Sequence, residues 1–123
     1  MQLANDNEAF QVQTGSLNNA VILQETDGNY ASQTQEGGER RSGANYADNN
    51  FADIHQFGGE NNIAIQLQTA LGGGLDMNSA IATQNGSDNY ASQTQFGGFN
   101  ISTVSQTGSG HSATVTQSQS IVQ

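Results

Sequence analysis

The sequence predicts an all-β chain wound as a two-sheet β-solenoid, with two strands per rung of about 22 residues and about nine strands in all. Three observations predict it. A short polar pattern returns along most of the chain, its fixed letters fall at even offsets, and alternate copies differ in one inward residue.

The pattern is plainest in NYASQTQ, which stands at residues 29–35 and again at 89–95. Loosened to N-x-A-x-x-x-Q, it recurs as Asn7-Ala9-Gln13, Asn18-Ala20-Gln24, Asn29-Ala31-Gln35, Asn50-Ala52-Gln56, Asn62-Ala64-Gln68, Asn78-Ala80-Gln84 and Asn89-Ala91-Gln95. Two relaxed copies follow, Asn100-Ser102-Gln106 and His111-Ala113-Gln117. Successive copies start 11, 11, 21, 12, 16, 11, 11 and 11 residues apart. Fixed letters at even offsets are strand periodicity, so Asn, Ala, the fifth residue and Gln share one face. Linkers such as TGSL, ETDG, NGSD, FGGF and TGSG supply the Gly, Asn, Asp and Ser that tight turns require.

The fifth residue assigns each copy to a sheet. In copies one, three, five and seven it is Gln11, Gln33, Gln66 and Gln93. In copies two, four, six and eight it is Ile22, Ile54, Ala82 and Val104. The alternation breaks only at Val115 in the ninth copy. Like therefore stacks on like, odd copies in one sheet and even copies in the other, and both NYASQTQ segments fall in the odd sheet. The boundaries expected are a lead-in at 1–6, a solenoid at 7–117 with loop insertions at 36–49 and 69–77, and a tail at 118–123. Gln119, Ile121 and Gln123 of that tail have strand parity for an abbreviated tenth strand.

Stacked strands lie about 4.8 Å apart. At that spacing one amide donates to a neighbour and accepts from the other, as in Asn/Gln ladders of stacked β structure. The expected columns run Asn7, Asn29, Asn62, Asn89, His111 and Gln13, Gln35, Gln68, Gln95, Gln117 in the odd sheet. The even sheet holds Asn18, Asn50, Asn78, Asn100 and Gln24, Gln56, Gln84, Gln106. A buried amide without its partner costs about 1–3 kcal/mol, so ladders penalise register slips. No acid or base falls at an inward position apart from His111 in the relaxed ninth copy.

Composition narrows the function. Hydrophobic residues make up 33% and charged residues 11%, too few apolar groups for an ordinary compact core. The chain has no Cys, which removes disulfides and the usual zinc sites. A net charge of -9, with Arg40 and Arg41 as the bases, argues against nucleic acid and anionic membranes. No segment approaches the ~20 apolar residues of a membrane span. The start MQLANDN lacks a basic region and an apolar core, so an export signal has been removed or was never there.

Residues 13–24 (QTGSLNNAVILQ), 84–95 (QNGSDNYASQTQ) and 106–117 (QTGSGHSATVTQ) resemble the curlin repeat of curli fibre subunits, S-x5-Q-x-G-x-x-N-x-A-x3-Q. The resemblance spans roughly residues 7–117 and is most like the major subunit. It implies a secreted bacterial subunit whose solenoid stacks into a cross-β amyloid fibre, a structural element of the extracellular biofilm matrix, surface adhesion and cell aggregation. It also implies a nucleator subunit, an outer-membrane secretion pore and periplasmic chaperones as partners, with the chain itself as the main one. The chain departs from the family in opening nearly every strand with Asn where odd strands usually open with Ser, and in lacking a Gly-rich N-terminal segment.

Neither end shows Pro or a charged cap, so the ends are expected to dock tip to tail, each copy templating the next. Eight acids, Glu25, Asp27, Glu36, Glu39, Asp48, Glu60, Asp76 and Asp88, fall in linkers, Glu8 and Asp53 face outward, and Asp6 precedes the first strand. Repeated up a fibre, like charges repel and slow association.

Catalytic chemistry is not expected. His55 faces outward and His111 takes a ladder place, GGGLD at 72–76 occurs once, and turn acids without a pocket make poor general acids. No cofactor and no metal is expected. Tyr30, Ile63 and Tyr90 form an outward stripe on the odd sheet, as Phe51 and Ile101 do on the even sheet, suited to lateral contact. The competing function is a soluble solenoid with an ice-binding or polysaccharide-binding face. It rests on Ser32/Thr34, Ser92/Thr94 and Thr114/Thr116, a row interrupted by Ile65/Leu67 and Phe10/Val12.

Overall fold

The computed structural model describes residues 1, 4–15, 17–37, 49–70 and 77–119. They contain nine strands: β1 (Glu8–Thr14), β2 (Asn19–Gln24), β3 (Tyr30–Glu36), β4 (Asn49–Phe57), β5 (Ile63–Thr69), β6 (Met77–Asn85), β7 (Tyr90–Phe96), β8 (Ile101–Thr107) and β9 (Ser112–Ser118). Odd strands form one parallel sheet in the order β1-β3-β5-β7-β9, and even strands form a second, β2-β4-β6-β8. Each strand thus pairs with the next but one in sequence, and the chain is a two-sheet β-solenoid.

Register follows the pattern letter by letter. Ala9, Ala31, Ala64, Ala91 and Ala113 align along the odd sheet. Ala20, Ala52, Ala80 and Ser102 align along the even sheet. The central alanines, Ala31, Ala52, Ala64 and Ala80, are 0% exposed, which lets the two sheets meet with amides and few aliphatic side chains between them. The apolar part of this core is Ile22, Ile54, Ala82 and Val104 of the even sheet with three odd-sheet alanines, and Ala113 and Val115 pack against it. Inward residues of the terminal strand β1 are exposed because no further rung covers them.

Strands β4 and β6 run nine residues each and begin at Asn49 and Met77. β3 and β5 end at Glu36 and Thr69. The segments expected as insertions thus lend their end residues to strands, because parallel pairing persists as long as a partner lies alongside: Asn49 opposes Met77, and Glu36 opposes Thr14 and Thr69. Glu36 is accordingly a strand residue, not a linker acid. Glu39, Asp48, Asp76, Arg40, Arg41, the GGGLD run, Ile121 and Gln123 lie outside the described residues. Gln119 continues β9 by donating its N–H to the Phe96 carbonyl at 2.9 Å.

The short turns share one geometry. The residue just before the inward Asn has a positive φ in Asp6, Leu17, Gly28, Asn61, Asp88 and Phe99, as does Gly110 before His111. Asp and Asn tolerate that conformation through local side-chain hydrogen bonds, but Leu17 (58°) and Phe99 (59°) accept a steric cost of about 1–2 kcal/mol. Turn length overrides side-chain preference here. A four-residue linker must reverse the chain and set the Asn inward, whatever residue precedes it.

Candidate functional site

The feature most unlike an ordinary core is the set of buried amides. In the odd sheet, Gln11 Nε2 donates to Gln33 Oε1 (3.1 Å), Gln33 to Gln66 (3.0 Å) and Gln66 to Gln93 (2.8 Å). A second column runs Gln13, Gln35, Gln68, Gln95, Gln117 with bonds of 2.8–2.9 Å. The even sheet carries Gln24, Gln56, Gln84, Gln106 at 3.0, 2.8 and 2.9 Å. Every bond points the same way, from the lower-numbered residue to the higher. The stack therefore has a sense. Gln11 and Gln13 show Oε1 at the β1 end, and Gln117 shows N–H at the β9 end.

Beyond β1, the second proton of the amides does something that periodicity does not reveal. It crosses to a backbone carbonyl of the facing sheet: Gln33 to Val21, Gln35 to Asn19, Gln66 to Asp53, Gln68 to Phe51 and Gln95 to Ser79. Gln84, Gln106 and Gln117 cross in the other direction, to Ile63, Tyr90 and Ile101. Gln56 reaches both Tyr30 and Asn62 carbonyls at 3.0 Å. One side chain thus ties neighbouring rungs and the two sheets at once. Buried polar groups carry little desolvation cost only when every donor is used, and here both protons are.

The Asn columns hold the turns. Asn7 Oδ1 accepts from the Asn29 N–H, Asn29 Oδ1 from the N–H and Nδ2 of Asn62, and Asn62 Oδ1 from those of Asn89. Asn50, Asn78 and Asn100 connect likewise in the even sheet. Their Nδ2 groups also donate to turn carbonyls, Asn29 to Thr26, Asn78 to Gly97 and Asn89 to Gly108.

Two expected ladder members differ. Asn18 donates to the Thr14 carbonyl of its own turn, while Asn50 donates to the Glu36 carbonyl, and no bond joins the two. Their strands come into register only at Asn19 and Phe51, after unlike entries. His111 joins its column through its backbone N–H, which donates to Asn89 Oδ1 at 3.1 Å. Its ring is exposed at the end strand of the sheet, where no further described rung covers it.

Ile22, Ile54, Ala82 and Val104 oppose one another along the even sheet. The Gln column of the odd sheet ends because Val115 lies above Gln93. Gln93 turns its amide to the Ser102 hydroxyl at 3.0 Å, and Gln95 also reaches it at 3.3 Å. Ser102 reads as drift from the alanine pattern in sequence. In space it supplies the acceptor that Val115 withdraws.

Outward faces carry the stripes. Tyr30, Ile63 and Tyr90 align, with Phe10 stacked 5.8 Å from Tyr30. On the even sheet, Phe51, Met77, Phe99 and Ile101 border a hollow of about 300 Å³. His55 contacts Glu25 at 3.2 Å and stacks on Phe57 at 4.5 Å, at the surface. The Ser/Thr row meets Phe10 and Ile65 in one column and Val12 and Leu67 in the next. Among the described residues no group of three His, Cys, Asp or Glu is placed to hold a metal, and no helix is long and apolar enough to cross a membrane.

The repeated Asn, Ala and Gln places, bonded rung to rung, are matched by a known family model. The curlin-associated repeat matches residues 76–118, the segment that holds β6, β7, β8 and β9. Residues 76–118 are thus similar to the curlin-associated repeat. No curated protein and no solved structure matches it. The curlin repeat is a structural module, and the register that runs through its matched strands extends without change of rule back to β1. The amide ladder that runs through these strands is thus the candidate functional element.

Proposed function

We propose that this curlin-repeat chain is the subunit of an extracellular, curli-like amyloid fibre that grows tip to tail by templated strand stacking. The observation that carries the reading is the single sense of the Gln ladders, which leaves acceptors at the β1 end and a donor at the β9 end. A second copy offers what each end lacks, and parallel in-register pairing gives it one register. In this reading the fibre serves biofilm matrix, surface adhesion and cell aggregation, and the chain's partners are its own copies, a nucleator, an outer-membrane pore and periplasmic chaperones.

Fibre diffraction together with seeding tests it. Aligned fibres are expected to reflect near ~4.8 Å along the axis and ~10 Å across it. Sheared fragments added to fresh monomer are expected to abolish the lag. A protein that stays monomeric on prolonged standing, or a lag untouched by fragments, contradicts the proposal.

Charge sets the rate. Acidic turns at Glu25, Asp27, Glu60 and Asp88 recur at one corner of the stack, where the Asp88 N–H meets the Glu60 carbonyl at 3.0 Å. Adding a copy adds like charge beside like charge. Protonation near pH 4, where carboxyl groups in general lose half their charge, or screening by ~1 M salt, removes the repulsion. Lag times are expected to shorten several-fold at pH 4, and at high salt, relative to pH 8 in dilute buffer. Equal lag times under all three conditions would refute this role for the acids.

A further inference from the structure

The described stack ends in two strand edges on each side, those of β1 and β2 at one end, with Met1 bonded to part of β2, and those of β8 and β9 at the other. We propose that copies of this chain join with a half-turn about the stacking axis, so that β9 pairs with β2 of the next copy and β8 with its β1. The proposal rests on the tip-to-tail reading above and specifies the surfaces of that joint.

The first argument is Val115. Within the odd sheet it is the one inward fifth residue that is not Gln, and it opposes Gln93, which has to turn to Ser102 instead. Against β1 of a copy stacked without rotation, Val115 would meet Gln11, whose Oε1 would find no amide donor there. Against β2 it meets Ile22, the end residue of the aliphatic column, and the aliphatic contact continues. Gln11 itself does not discriminate, since it meets Val115 in the unrotated joint and Val104 in the rotated one. The residue that breaks the odd-sheet rule is therefore the residue that fits the even sheet.

The second argument is the number of strands. The described odd sheet has five and the even sheet four. Stacking β9 on β1 without rotation closes the odd sheet but leaves strands β8 and the next β2 two spacings apart, about 9.6 Å where pairing needs about 4.8 Å, with Met1 bonded on the β2 side of that space. A half-turn leaves no such gap, because each sheet then alternates five strands with four. Strand direction survives the operation. Successive strands joined by four-residue turns run opposite ways across a rung, so rotating one sheet onto the other's place also reverses it, and the pairs stay parallel.

The ladders accept the joint as well. Gln106 lies over Gln13, donor towards acceptor in the sense already running through the stack, and Gln117 lies over Gln24. Outward pairs are Ile101 on Glu8, Thr103 on Phe10 and Thr114 on Val21, with no like charges opposed. At the β1 end a hollow of about 290 Å³, lined by Ala9, Gln11, Ala20, Val21 and Ile22 beside Met1, receives the inward side chains of the arriving pair. Met1 meanwhile bridges the edge of β2, its amino group bonded to the Ile22 carbonyl and its carbonyl accepting from the Gln24 N–H. Met1 yields its place, opposite Leu23, to Thr116 of the arriving copy.

Cysteine pairing separates the two joints, and the chain has no native cysteine to interfere. One double variant carries Thr114→Cys with Val21→Cys, the other Thr114→Cys with Phe10→Cys. All three positions are outward and exposed, and in neither variant do the two cysteines lie on adjacent strands of one molecule. Each variant is assembled reduced, checked for cross-β diffraction, then closed by oxidation or a short thiol-to-thiol linker, for which Cα atoms on adjoining strands are within reach. The half-turn joint predicts covalent dimers and longer ladders on a denaturing gel from the Thr114/Val21 variant, and monomer from the Thr114/Phe10 variant. The reverse result, or fibres in which neither variant links, overturns the joint while leaving the fibre reading intact. If wild-type protein forms no fibre at all, the tip-to-tail reading fails first and the joint falls with it.

Discussion

Replacing Gln66 with Leu is expected to remove roughly 2–6 kcal/mol of folding stability, although leucine has similar volume and greater hydrophobicity. Gln66 is 1% exposed, accepts from Gln33 at 3.0 Å, and donates to Gln93 Oε1 at 2.8 Å and to the Asp53 carbonyl at 3.0 Å. Leucine leaves the Gln33 proton and the Gln93 oxygen buried without each other's bridge, two orphans at about 1–3 kcal/mol each. A domain of this size has about 5–15 kcal/mol in total, so the loss is a large fraction of it. Urea unfolding of monomer at pH 8 and low salt measures the change, with the outward substitution Ser92→Ala as the neutral reference.

Gln66→Glu sharpens the same test. A carboxylate there would aim oxygen at the Gln93 oxygen and the Asp53 carbonyl inside a dry core, and burial favours its neutral form. Its folded-state pKa would then lie above the unfolded value. The penalty is full at pH values above the folded pKa and fades as pH falls towards the unfolded one, where both states are protonated. Gln66→Glu should therefore be worse than Gln66→Leu at pH 8 and recover part of the difference near pH 4. If both variants unfold within about 0.5 kcal/mol of wild type, the amide ladders are incidental to stability.

Sheet membership, parallel pairing and register were legible in the sequence because each depends on spacing alone. Offsets of two place Asn7, Ala9, Gln11 and Gln13 on one side of a strand, and alternate Gln and aliphatic fifth residues assign strands to sheets. What spacing does not encode is the direction of a second proton. That the Gln side chains beyond β1 also bridge to the opposite sheet depends on how close the alanines let the backbones come, which is a property of the packed pair. Ser102 went unread for a similar reason: its value lies in a bond to Gln93 from the other sheet, nine residues earlier. The separation of Asn18 from Asn50 follows from unlike strand entries, and strand extension to Asn49 and Met77 follows from neighbouring backbone. Neither leaves a periodic trace. Positive φ at Leu17 and Phe99 contradicts local preference outright, and only the fixed length of the turn explains it.

The turns are also where a single methyl group should do most harm. Gly86, just after β6, has φ +119°, and a Cβ built there would stand 2.0 Å from the Gly108 carbonyl oxygen and 2.8 Å from its carbon. The obstacle is backbone of the next rung, held by the Gly108 N–H bond to the Asn85 carbonyl at 2.9 Å and the Gly110 N–H bond to Ser87 at 3.1 Å. It cannot step aside without opening the β6–β8 pairing. Gly86→Ala is therefore expected to cost on the order of 3 kcal/mol or more, combining a forbidden backbone angle with a displaced rung. Gly110→Ala is the matched comparison. Its φ is also positive, +73°, but nothing lies within 4 Å of the added carbon, so only the conformational cost of about 1–2 kcal/mol applies. Thermal or urea unfolding of the two variants should thus separate them clearly, with Gly86→Ala the less stable. Equal losses would mean that turn conformation alone sets the cost. A larger loss in Gly86→Ala means that the rungs are stacked too closely to admit a methyl group, and that closeness is what brings the amides within bonding distance.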